Sequence, residues 1–135
     1  MLTNSELAYL ASNSIGRLAT ARPDGTLQNN PVAFIWNEAE QSVDIGGMHL
    51  GTSRKYANVQ SNPKVAFVVD DVVSIDPWTV RGVEVRGRAV AIADYEPPQP
   101  WLCRQMIRIH PTRIVGWGLD PGVADPNGRD VIPES

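Results

Sequence analysis

Short strand-type runs, cut at intervals by turn signals, constrain this chain more than any other feature. Arg22-Pro23-Asp24-Gly25-Thr26 carries Pro and Asp-Gly turn chemistry, and runs on either side of it, Ile15–Ala21 and Leu27–Trp36, read as a hairpin. Asn37–Glu40 is a further turn, and Ser42–Gly47 a third strand with Val43 and Ile45 on one face. Gly46 to Gly51 is a loop, and a helix from Thr52 or Ser53 to Gln60 is closed by Asn62-Pro63. Lys64–Asp70 reads as a buried strand and Asp71–Pro77 as a loop. Trp78–Ala93 is a long strand region with Gly82 and Gly87 as bulges or bends. After Pro97, Pro98 and Pro100, a short helix is predicted over Trp101–Ile109 and a last strand over Arg113–Gly118. At the start, Thr3-Asn4-Ser5-Glu6 reads as a capping box before a helix ending near Asn13, with Leu7, Leu10 and Ala11 on one face. Six or so strands at hairpin spacing with two or three short helices predict a mainly β fold, an antiparallel sheet closed into a barrel. One domain is expected over residues 1–135, with 119–135 as an extended or frayed tail.

Composition narrows the partners. Net charge is −3, which argues against nucleic acid and anionic membranes. Cys103 is the only cysteine, and His49 and His110 lack metal-ligand spacing, so neither a disulfide framework nor a metal site is expected. No signal-peptide pattern opens the chain, and no apolar run nears the roughly 20 residues that span a bilayer, so a soluble cytoplasmic protein is expected. There is no G-x-G-x-x-G, P-loop or nucleophile elbow.

Three features bear on chemistry. Gly51-Thr52-Ser53-Arg54-Lys55 places two cations in the first turn of a helix, where positive charge is disfavoured unless an anion sits nearby. Backbone N–H groups, two hydroxyls and two cations together suit a phosphate; the bland reading is a solvated basic turn. Only Lys55 and Lys64 are lysines, against ten arginines, and one lies here. In Gln28-Asn29-Asn30-Pro31, Gln28 and Asn30 share a face, either along a planar heterocycle or as a polar strand end facing solvent. Of Trp36, Trp78, Trp101 and Trp117, most are expected in the core. Trp117, between Gly116 and Gly118, is the one placed to project into a site or an interface. Asp70-Asp71 reads as a solvated strand end, and Glu84, Arg86 and Arg88 as an ion-pair stripe.

Five stretches together resemble the pyridoxamine 5′-phosphate oxidase-like superfamily of split β-barrel flavoproteins. They are Ser14 to Thr20; Asp24-Gly25 with Gln28 to Pro31; Thr52 to Lys55 with Asn58 and Asn62 to Val65; Arg81 to Gly87; and Pro111 to Gly118. Within the superfamily the chain is similar to the branch that uses the deazaflavin coenzyme F420. More narrowly it is similar to small actinobacterial reductases, some of which reduce polyketide intermediates such as dehydrotetracyclines. The resemblance implies a six-stranded antiparallel Greek-key barrel and a homodimer with two cofactor sites at the subunit interface. It assigns the phosphate to Ser53, Arg54 and Lys55, the ring to the strand from Asn30 to Phe34 with Gln28 nearby, and a contact from the partner subunit to Trp117. The implied cofactor-binding set is Gln28, Asn30, Pro31, Val32, Ala33, Met48, Thr52, Ser53, Arg54, Lys55, Asn58, Arg113 and Trp117. The Arg-x-His substrate motif of the true oxidases does not follow Trp117, so oxidation of pyridoxamine phosphate is not expected, and the shorter chain leaves the pocket more open.

The expected activity is hydride transfer from reduced F420 to an electron-poor small molecule, with no obvious general acid; water, Tyr56 or His49 would supply the proton. FMN as the cofactor, in a flavin reductase or oxidase, is the first alternative, since both cofactors share a tricyclic ring and a phosphate. A non-catalytic flavin- or haem-type binder is the second.

Overall fold

The computed structural model describes residues 1–121 and 125–131. It contains helix α1 (Asn4–Ala11), strands β1 (Ile15–Ala21), β2 (Leu27–Asn37) and β3 (Ser42–Gly46), then a single 3-10 turn and helix α2 (Arg54–Ser61). Strands β4 (Lys64–Ser74), β5 (Thr79–Ile92), β6 (Met106–Trp117) and β7 (Asn127–Asp130) follow. The sheet order is β3-β2-β1-β4-β5-β6-β7, and β3 also pairs with β6, which closes the first six strands into an antiparallel barrel. Strands β1, β2 and β3 form a meander, and β4 returns to lie beside β1, a Greek-key connection that α2 makes.

Alternation builds the core. Leu18, Val43, Ile45, Phe67, Val69, Val83, Val85, Ile107, Ile109 and Ile114 are buried inside the barrel. Burying a side chain of this size stabilises by about 1.5–3 kcal/mol. Phe34 and Phe67 meet edge to face with centroids 5.0 Å apart. Gly16 makes room for that cluster: a Cβ there would lie 2.3 Å from the Phe67 ring.

Several expectations need correction. Trp101–Ile109 is not a helix. Met106 to Trp117 is one strand, with Ile107 and Ile109 inward and His110 exposed, paired to β3 and β5. The strand expected from Arg113 therefore begins at Met106, and it is followed by β7. Pro111 sits at a register shift, where Arg86 faces Arg113 and Gly87 faces Pro111, so Thr112 is the extra residue of a bulge. Strand β4 runs on to Ser74, which places Asp70 and Asp71 within it rather than at its end; both side chains are solvated as expected, with Asp70 paired to Arg17, and Asp71 to Arg81 and the Tyr9 hydroxyl. Its residues alternate in burial instead of being buried throughout.

In α1 the capping box forms, but the buried residues are Glu6, Tyr9 and Leu10, while Ala11 is exposed. None of the four tryptophans lies in the fully buried core, and Trp78 and Trp101 are exposed. Beyond Leu119, β7 pairs with β6, and Arg129 forms an ion pair with the buried Glu6. Residues 122–124 and 132–135 of the expected tail lie outside the described residues.

Candidate functional site

The loop from Gly46 to Ser53 delivers α2 to one end of the barrel. Ser53 is its N-cap: the Ser53 Oγ accepts from the Tyr56 N–H at 3.3 Å and donates to the Leu50 carbonyl at 2.6 Å. The Thr52 hydroxyl donates to the His49 carbonyl at 3.2 Å. Both hydroxyls are thus engaged by their own loop. The donors left over are the Arg54 and Lys55 backbone N–H groups at the first two helical positions, and the two side chains. Among the described residues neither side chain makes an ion pair or hydrogen bond, and the first turn holds no acidic residue. The helix dipole and two cations therefore present uncompensated positive charge in a protein whose net charge is −3.

Strand β2, which Asn58 of α2 reaches at Gln28, has an open edge. Strand β3 ends at Gly46, opposite Ala33, so β2 from Leu27 to Val32 is paired only to β1. The Phe34 N–H donates to the Ser14 carbonyl on the β1 side. Bonding direction alternates along a strand, so Val32, Asn30 and Gln28 also turn their backbone groups to β1, while Pro31 and Asn29 turn theirs to the open edge. Pro31 lacks an N–H at a position where β1 would not have accepted one.

Side chains alternate too. Gln28, Asn30 and Val32 point inward; Pro31 and Ala33 are exposed on the other face. The implied ring-binding residues thus do not share one side-chain surface. Nor do they share one backbone edge: Gln28, Asn30 and Val32 turn their backbone groups to β1, while Pro31 turns its own to the open side. Asn30 is half-buried and makes no side-chain hydrogen bond among the described residues. Met48, in the loop, is exposed.

Asn58 is fully buried. Its Nδ2 donates to Thr20 Oγ1 at 3.0 Å and to Gln28 Oε1 at 3.1 Å. It is a strut between α2 and the barrel, not a group open to a ligand. Its Oδ1 is buried and accepts no hydrogen bond among the described residues, so an unmet acceptor lies behind the strand edge. Thr20, 2% exposed, escaped the sequence reading. The turn at Arg22–Thr26 pairs Ala21 with Leu27 and hence Thr20 with Gln28, so counting back along that hairpin would have found it.

Arg113 and Trp117 do not join this cluster within one chain. Along β6 they lie about 23 Å and about 35 Å of strand from Met106, respectively, while the Met106 end adjoins the Gly46–Ser53 loop. Arg113 is held by Asp130 at 2.9 Å. The Trp117 ring covers Gly82, where a Cβ would lie 2.4 Å from Trp117 Cζ2. Its flanking glycines are both required: a Cβ on Gly116 would strike the Glu6 carboxylate, and Gly118 has φ +66°. Of the two candidate proton donors, Tyr56 is buried with its hydroxyl donating to the Ile92 carbonyl at 3.2 Å, whereas His49 is exposed in the loop. Among the described residues no three His, Cys, Asp or Glu side chains cluster as metal ligands, and no helix is long and apolar enough to cross a membrane.

A cationic helix start and an unpaired strand edge are thus both carried on a six-stranded Greek-key barrel. The chain belongs to the pyridoxamine 5′-phosphate oxidase family, whose sequence model matches residues 3–132. It is 41% identical over 134 residues to the 5a,11a-dehydrotetracycline/5a,11a-dehydrooxytetracycline reductase of Streptomyces rimosus subsp. rimosus, covering 98% of this chain and 94% of that protein. Among solved structures, an F420 reductase superposes with a TM-score of 0.63 at 28% identity, covering 84% of this chain and 98% of that one. A FAD binding protein from Mycobacterium smegmatis superposes with a TM-score of 0.64, covering 86% of this chain and 93% of that one; at 24% identity it speaks to the fold alone.

Proposed function

We propose that this chain is a cytoplasmic oxidoreductase that uses coenzyme F420 to reduce an electron-poor small molecule, an enone or quinone-like acceptor. The observation that carries the reading is the pair Arg54 and Lys55, uncompensated at the start of a helix that Asn58 ties to Gln28 on the open-edged strand β2. Likeness to a dehydrotetracycline reductase supports reduction of a conjugated acceptor, and likeness to an F420 reductase supports the deazaflavin.

The bound coenzyme would supply hydride from its deazaflavin C5. The chain's part is to bind and orient. Arg54, Lys55 and their backbone N–H groups fit a phosphate. The Asn30 carboxamide and the backbone groups of Asn29 and Pro31 fit the polar edge of a planar heterocycle. Asn58 holds helix and strand in register. The exposed His49, or water, serves as proton source; Tyr56 is committed to Ile92. Because Trp117 and Arg113 lie away from the α2 turn of their own chain, the reading takes the working unit to be a homodimer in which the partner's Trp117 completes the site.

The experiment is equilibrium binding of F420 and of FMN, by fluorescence, to the same cofactor-free protein, followed by turnover with reduced coenzyme. Preference for F420 with reduction of an added acceptor is the expected result. Preference for FMN would move the protein to the flavin-dependent branch. Binding without turnover would make it a carrier, and binding of neither would end the reading.

A further inference from the structure

The segment between β5 and β6 folds back over the outside of β2 and β3. Its ends are joined by the Tyr95 N–H donating to the Arg104 carbonyl at 2.9 Å. It is fastened to the loop before α2 by the Cys103 N–H, which donates to the Gly47 carbonyl at 3.0 Å. Pro97, Pro98 and Pro100 stiffen the stretch between these ties. Beneath it lies a mostly apolar pocket of about 170 Å³, walled by Ala33, Ile35, Gly46, Tyr95, Trp101 and Leu102. A dry cavity of about 150 Å³ holds a benzene ring, so this one takes a single six-membered ring and leaves the rest of a larger molecule outside.

Its polar equipment is sparse. The Asp44 carboxylate borders the pocket, but Ser42, Asn37 and Arg108 occupy it. The Tyr95 hydroxyl makes no hydrogen bond among the described residues and lies over Gly46, where a Cβ would come within 3.2 Å of it. An apolar slot with one uncommitted O–H donor selects a flat ring bearing an acceptor oxygen. The position is equally informative, because Ala33 is the residue at which β3 stops and the open edge of β2 begins.

We propose that this pocket receives one ring of the acceptor, an aromatic or quinone-like ring whose carbonyl oxygen accepts a hydrogen bond from Tyr95. Its role in turnover rests on the function proposed above; binding itself does not. The probe is dimethylnaphthoquinone, whose substituted ring carbons do not react with the Cys103 thiol. Equilibrium dialysis against the cofactor-free protein should give saturable binding. Tyr95→Phe should weaken it about tenfold, the loss of one hydrogen bond. Leu102→Trp should abolish it by filling the slot. Both variants should keep the F420 affinity of the wild type. Absence of quinone binding to the wild type, or unchanged binding in folded Tyr95→Phe, would overturn the proposal; if Leu102→Trp does not fold, Tyr95→Phe decides alone. Quinone binding in a protein that takes up neither F420 nor FMN would sink the cofactor reading and keep the pocket. Coenzyme binding without quinone binding would do the reverse.

Discussion

The Asn58 side chain donates to the Gln28 side chain at 3.1 Å, and this bond ties the helix that carries Arg54 and Lys55 to the strand edge beside it. The same Nδ2 reaches Thr20, Gln28's cross-strand partner, so one carboxamide locks two strands and a helix. Asn58→Ala leaves the buried Thr20 hydroxyl without this partner. It should cost about 1–3 kcal/mol in urea unfolding. It should also weaken coenzyme binding, although Asn58 is closed to ligand. Gln28→Ala should cost less stability, because Asn58 retains Thr20.

Arg54 and Lys55 should separate stability from affinity. Cations in a first turn oppose the helix dipole, so Lys55→Glu should leave thermal stability unchanged or raise it by about 0.3–1 kcal/mol. The same change should weaken coenzyme binding at least tenfold, since charge-assisted hydrogen bonds contribute about 1.5–3 kcal/mol each. Calorimetric unfolding and fluorescence titration of one preparation read both quantities. A variant that loses stability and keeps its affinity would show that the turn is structural.

The barrel was legible wherever local chemistry and tertiary pairing agree. The Arg22–Thr26 turn, the alternation of Val83 and Val85, and the Thr3–Glu6 capping box all carry their structure in a few neighbouring residues. β6 was not, because two local signals mislead. Leu102, Met106 and Ile109 fall at helical spacing, and Pro111 argues against a continuous strand. Pairing with β3 and β5 overrides the first signal. The bulge at Thr112 accommodates the second, between the end of β3 pairing at Ile109 and the start of β7 pairing at Arg113. β7 has no apolar pattern, and the contact that anchors it, Arg129 to Glu6, spans 123 residues. Within the site, the sequence showed which residues carry charge and amides. It did not show that Asn58 faces inward, which depends on how α2 packs on the barrel; the missing N–H of Pro31 favoured an edge or a strand start, but not where β3 stops.

Asp44 should make stability fall in acid. Burial pushes its carboxyl up, but hydrogen bonds from Arg108, Asn37 and Ser42 outweigh that and hold it below the ordinary carboxylate value. A group lowered by folding adds stability above its unfolded pKa of about 4, and that stability is lost as pH falls through the lower, folded value. Asp44→Asn leaves Arg108 without its main partner and should cost about 3 kcal/mol at neutral pH. The gap between wild type and variant in urea midpoint should narrow steadily below pH 4 or so. A gap of constant size down to pH 2 or so would mean the carboxylate contributes no charge-dependent stability.

Trp117 tests whether the site is shared between subunits. Its ring lies on Gly82, and a Cβ there would also meet the Val69 carbonyl at 2.8 Å, backbone that cannot move aside. Gly82→Ala should therefore cost about 1–3 kcal/mol and shift the indole emission. Trp117→Ala removes a half-exposed ring, should destabilise less, and should lower coenzyme affinity. If each site takes Lys55 from one chain and Trp117 from the other, mixing Lys55→Ala with Trp117→Ala should rebuild intact sites. Equal amounts give about half mixed dimers, each with one complete site, so about a quarter of all sites recover. Titration of the mixture after refolding together would count them. Recovery requires the partner's Trp117 at the site; without recovery, the Trp117 effect travels within its own chain through Gly82 and β5.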